Sequence, residues 1–115
     1  MQVVTLVLNK TEYLEALLEA LLNNGIQGCT VLNSTGMMRV IEQSGDDMPM
    51  FGAFRHLFDP ERRSSKTLVM VLEDDEVAVA RRVIETVTGG LDKPDTGILF
   101  AMPALFVEGM GAKKQ

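Results

Sequence analysis

The sequence predicts an α+β fold with four strands and two helices in the order β-α-β-β-α-β. Three observations lead there. Short apolar runs of strand length stand at positions 3–8, 26–33, 66–72 and 98–102. Two stretches, 12–22 and 76–88, repeat their apolar residues at helical spacing. Clusters of Gly, Asn and Asp separate these pieces, except for one long break over residues 37–65.

Val3–Leu8 is the first strand. Val3, Val4, Leu6, Val7 and Leu8 are apolar with only Thr5 between them, so both of its faces are apolar. Asn9 stands where a helix N-cap belongs, and Glu12 three residues on would close a capping box. Tyr13, Leu14, Leu17, Leu18, Leu21 and Leu22 then form one helical face, with Glu12, Glu15 and Glu19 on the other. Asn23-Asn24-Gly25 ends the helix, Gly25 being suited to the left-handed cap. Ile26–Asn33 is the second strand and closes near Ser34-Thr35-Gly36.

Lys66–Leu72 is the third strand, with Leu68, Met70 and Leu72 on one face and Val69 and Val71 on the other. Asp74 or Asp75 is expected to cap a second helix over Glu76–Thr88, its buried stripe made by Val77, Val79, Ala80, Val83, Ile84 and Val87. Gly89-Gly90 ends it. Leu91–Gly97 is a turn, Ile98–Met102 the fourth strand, and Ala104–Val107 a last extended piece before a tail, 108–115, expected to be loose. This order is the split βαβ arrangement called ferredoxin-like: a four-stranded antiparallel sheet with both helices on one face. The whole chain, 1–115, reads as one domain.

An antiparallel sheet with one face in water should alternate apolar and polar residues. The first and third strands do not. A second apolar face spanning several strands exceeds what a soluble monomer normally exposes. The expectation is that other copies of the chain bury it.

Bulk properties narrow the function. At 115 residues, with 46% apolar and 23% charged residues, the chain has the make-up of a soluble globular domain. A net charge of −5 and a pI near 4.8 disfavour nucleic acid as a main partner. No apolar run is long enough to span a membrane, and the N-terminal run lacks the basic start of a signal peptide, so a cytoplasmic protein is expected. Cys29 is the only cysteine and reads as a small buried hydrophobe within the second strand. With one His and one Cys, no hydrolytic constellation is present, and an enzyme is not expected.

The break over residues 37–65 reads as the working part. Loops of this length inside compact domains are uncommon and, when present, usually functional or disordered. It holds Phe51, Phe54 and Phe58, the only histidine, His56, and four of six arginines: Arg39, Arg55, Arg62 and Arg63. The three Phe fall at i, i+3 and i+7, one face of a short helix that Asp59-Pro60 would end. Such a face either folds back on the sheet or a neighbouring subunit, or is presented to a partner groove with aromatics and Arg as anchors. Arg55, Arg62, Arg63 and Lys66 make a basic cluster that is either a solvated face balanced by nearby acids or an anion site. Met37, Met38, Met48, Met50 and His56 could suggest a soft-metal site, but apolar filling of a subunit contact is the better reading and no metal is expected.

The segment Gly25–Gly36, GIQGCTVLNSTG, is similar to the stretch of PII signal-transduction (nitrogen regulatory) proteins that leads into their long signalling loop, the T-loop. VLEDDEVAVARRVIETVTG resembles the family's third strand and second helix, and TGILFAMP its fourth strand. The resemblance implies a homotrimer with sheets facing inward, ligand clefts between subunits, and a T-loop, here 37–65, that docks on protein targets such as transporters or metabolic enzymes. Family members bind ATP or ADP in those clefts. Thr30, Gly36, Arg39 and Gly97 fall on matching positions, and Lys66 lies nearby but off register. Ile98 stands in place of the lysine after that glycine, Gly109 and Gly111 in place of two arginines, and Met38 in place of a loop-base glycine. Phosphate binding rests on charge and close backbone approach. The expectation is a PII-like regulator whose small-molecule effector differs from the ordinary nucleotide or is lacking. The alternatives are an amino-acid-sensing ACT-type module, which shares the order of elements but has no need of the long loop, and a metal-handling scaffold using the Met/His loop.

Overall fold

The computed structural model describes residues 1–37, 40–41 and 64–110. The strands are β1 (Gln2–Leu8), β2 (Thr30–Ser34), β3 (Ser65–Leu72) and β4 (Gly97–Pro103). The helices are α1 (Leu14–Asn23), preceded by a 3-10 turn over Thr11–Tyr13, and α2 (Asp74–Thr88). The sheet order is β2-β3-β1-β4 with every neighbouring pair antiparallel, which is the ferredoxin-like α+β arrangement. β1 is central: Gln2 to Leu8 pair with Leu72 to Lys66 on one side and with Pro103 to Gly97 on the other.

One face of the sheet is roofed. α1 and α2 pack on each other, and α2 on β1 and β3. Val4, Leu6, Leu8, Leu68, Met70 and Leu72 point into this layer and are at most 1% exposed, against Leu17, Leu21, Ala80 and Ile84 from the helices. Each such Leu contributes about 1.5–3 kcal/mol relative to leaving it in water.

The other face is apolar as well, and no described element covers it. Strand pairing lays it out in rows from β2 across to β4. One row is Thr30, Val69, Thr5 and Phe100; the next is Leu32, Thr67, Val7 and Ile98; another is Val71, Val3 and Met102. No residue in these rows is charged. Leu32 is 50% exposed, Ile98 63%, Phe100 45% and Met102 52%. The β1 and β3 members are half-buried.

Several element ends differ from expectation, each for a local reason. α1 does not start on an Asn9 cap. Backbone bonds Thr11 N–H to Asn9 O (3.0 Å) and Tyr13 N–H to Lys10 O (3.1 Å) tighten a 3-10 turn first, and Tyr13 becomes the N-cap, with no side-chain cap bond. At the other end Gly25 N–H reaches Leu22 O (3.0 Å) and Ile26 N–H reaches Leu21 O (2.9 Å), a Schellman closure with Gly25 at φ 86. Buried Ile26 therefore terminates the helix, and the strand begins only at Thr30. α2 is capped by Glu73, not by Asp74 or Asp75. The Glu73 side chain accepts from the Glu76 backbone while Glu76 Oε1 accepts the Glu73 N–H at 2.8 Å. Asp74 turns instead to Gln2, whose Nε2 donates to its Oδ1 at 3.2 Å. Ala104–Val107 forms no strand; the Ala104 N–H donates to Met1 O at 3.1 Å.

Candidate functional site

The two strands that flank the 35–64 segment end together, with Ser34 opposite Ser65 as the last pair of β2 and β3. One row inward lie Asn33, Lys66, Leu8 and Gly97. Lys66 and Gly97 both pair with Leu8, from opposite sides. Strand spacing of about 4.8 Å sets their Cα atoms about 10 Å apart. Gly36 follows two residues after β2. Its carbonyl accepts the Val40 N–H at 3.1 Å, and Met37, Val40 and Ile41 are helical, so a helical turn begins where a loop was expected.

The chain connections α2–β4 and β1–α1 meet at this same end of the sheet. The Thr96 carbonyl accepts both the Asn9 N–H (2.9 Å) and the Lys10 N–H (3.4 Å), and Thr96 itself is 1% exposed. Gly97 is required here by close approach: a Cβ would lie 2.4 Å from the Val7 carbonyl oxygen. Asp95 sits at φ 56, one of the turn residues that tolerates the left-handed region. The Lys93 ammonium folds back over the end of α2, 2.9 Å from where a Gly89 Cβ would be.

The structure thus brings Lys66, Gly36 and Gly97 to one sheet end but not Thr30. Thr30 is three residues from Asn33, so it lies about 10 Å further in and on the opposite, open face. Lys66 shares the roofed side with Leu8, and its Nζ donates to Asn33 Oδ1. The remaining candidates, Arg39, Phe51, Phe54, Arg55, His56, Phe58, Arg62 and Arg63, lie outside the described residues, as do Met38, Met48 and Met50.

Two features escaped the sequence reading. One is the pair of Asn9 and Lys10 amides on Thr96; nothing in the residue types announces it. The other is a set of hydroxyls at the Ser34–Ser65 pair, for which Ser34-Thr35 just before the long break and Ser64-Ser65 at its end are a visible signal.

Cys29 lies just ahead of β2, half-buried against the core. Burial pushes its thiol pKa up, which keeps it protonated and argues against a reactive thiolate. Among the described residues no group of three His, Cys, Asp or Glu side chains could hold a metal ion, and no helix is long and apolar enough to cross a membrane. No protein-family model matches the chain, and no curated protein matches it.

Proposed function

We propose that the chain is a non-enzymatic, PII-like regulatory protein that works as a homotrimer. The observation that carries this reading is the uncharged open face of the sheet. A chain of net charge −5 repels its own copies over most of its surface. The rows through Val69, Val7 and Val3 carry no charge at all, so copies can meet there without like-charge opposition. Burying Phe100, Ile98, Met102 and Leu32 against a neighbour removes from water apolar area that the described elements leave exposed.

In this reading the sheet is the scaffold, and the 37–65 segment docks on a protein target such as a transporter or a metabolic enzyme. The effector site lies at the sheet end where Lys66, Gly36 and Gly97 gather, completed by a neighbouring subunit. A small molecule held there shifts the docking. The test is sedimentation equilibrium on the whole chain, with Phe100→Glu as the contrast. The expected result is a trimer for the native sequence and a folded, lighter species for the variant. A native chain that stays folded and monomeric at micromolar concentration sinks the reading. Calorimetry with ATP, ADP and cyclic nucleotides on the same sample then asks which effector class binds.

A further inference from the structure

β2 is held to the molecule in an unusual way. Among the described residues it is an edge strand whose only partner is β3, and none of its five residues is buried. Apolar packing, which fixes β1 and β3, does little for it. Polar side chains do the work instead, on both faces of its last two rows. On the roofed side Lys66 Nζ donates to Asn33 Oδ1. On the open side three hydroxyls meet: Thr67 Oγ1 donates to Ser34 Oγ at 2.7 Å, Ser34 Oγ and Ser65 Oγ are 2.7 Å apart, and Ser65 Oγ donates to the Ser34 carbonyl at 3.2 Å.

Each hydroxyl has one proton. Thr67 spends its proton on Ser34 Oγ and Ser65 on the Ser34 carbonyl, so the Ser34 proton goes to Ser65 Oγ. The donors are all satisfied within the set, and Ser65 is 5% exposed, so water replaces these bonds poorly. We propose that Ser34, Ser65 and Thr67 form a clasp that holds β2 onto β3 at the point where the 35–64 segment leaves the sheet, and that β2 with this clasp opens as a unit separate from the β3-β1-β4 ladder. Opening starts at the Ser34–Ser65 pair and runs inward to Thr30. It turns an event at the exit of the segment into a change along the edge of the sheet, including Leu32 and Thr30 on the open face. The inference stands independently of the trimer.

The test is native-state hydrogen exchange on the whole chain, followed residue by residue. In the native sequence the β2 amides exchange faster than those between β1, β3 and β4. Ser65→Ala strands the Ser34 proton, and β2 exchange rises about tenfold while the β1–β4 ladder is unmoved. Thr67→Val, which keeps the side-chain shape, gives a smaller rise of about threefold on the same amides and serves if the first variant folds poorly. Removing all three hydroxyls together leaves no stranded partner, so Ser34→Ala with Ser65→Ala and Thr67→Val exchanges more slowly at β2 than Ser65→Ala alone. Unchanged β2 exchange in both single variants overturns the clasp. An equal rise across every strand overturns the separate unit.

Discussion

The two faces of the sheet are built from the same strands and nearly the same residue types, yet they live in different surroundings. Val4, Leu6 and Leu8 alternate along β1 with Val3, Thr5 and Val7. The first three are sealed under α1 and α2; the second three are half-buried with no described element above them, and at the β4 end the rows stay exposed at Ile98, Phe100 and Met102. Hydropathy alone does not distinguish the faces. What distinguishes them is that the described elements supply a roof for one and not for the other. An apolar face without a roof is a statement about assembly, whereas an apolar face under helices is a statement about folding.

Neighbouring residues on β1 test that contrast most strongly. Leu6→Ala opens a cavity in the sealed layer and should cost about 2–5 kcal/mol in urea unfolding. Val7→Ala, one residue on and facing the other way, should cost less than about 1 kcal/mol in a dilute sample. Equal costs would mean that the open face is already covered within a single chain. Gly97 sits where the faces share one backbone, since its missing Cβ lets β4 close against the Val7 carbonyl. Gly97→Ala should cost about 1–3 kcal/mol by overpacking, read as a lowered urea midpoint with an unchanged slope. The smallest effect belongs to Cys29, under the edge of the roof. Its raised pKa means the unfolded chain ionises first. This contribution to stability is complete below the unfolded thiol's pKa and is lost as pH rises through the folded one. Alkylation by iodoacetamide at mildly alkaline pH should be slower in the folded chain than in urea. Equal rates would place the thiol in water.

The fold was legible because its signals are periodic. Two apolar faces on β1 and β3, two amphipathic helices and their glycine stops decide the order of elements without any tertiary information. The ends of the elements were less legible because several residues can compete for one role. Ile26 could begin a strand or finish a Schellman closure, and its burial next to Leu21 decided for the helix. Glu73 won the α2 cap because its partner Glu76 stands three residues on. The candidate site was legible only as a set of residue types. Lys66 and Thr30 can be picked out in the sequence, but which face each occupies depends on the pairing of β2 with β3. Neither the length nor the composition of the intervening segment sets that pairing. The hydroxyl set was half legible: the serines at the two ends of the segment stand out as residue types, but Ser34, Ser65 and Thr67 become neighbours only once the pairing is known.

A sheet with oil on both sides has lost the usual safeguard against misalignment. Sliding β1 by one position would exchange Val4, Leu6 and Leu8 for Val3, Thr5 and Val7, a nearly even trade in hydropathy. Rejection of such mispaired forms falls to features that do not repeat along a strand. The Cβ-free contact at Gly97 and the matched serines at 34 and 65 are of that kind. Changes there should show first in refolding yield, as chains caught one step out of line, before they show in the melting of those that aligned correctly.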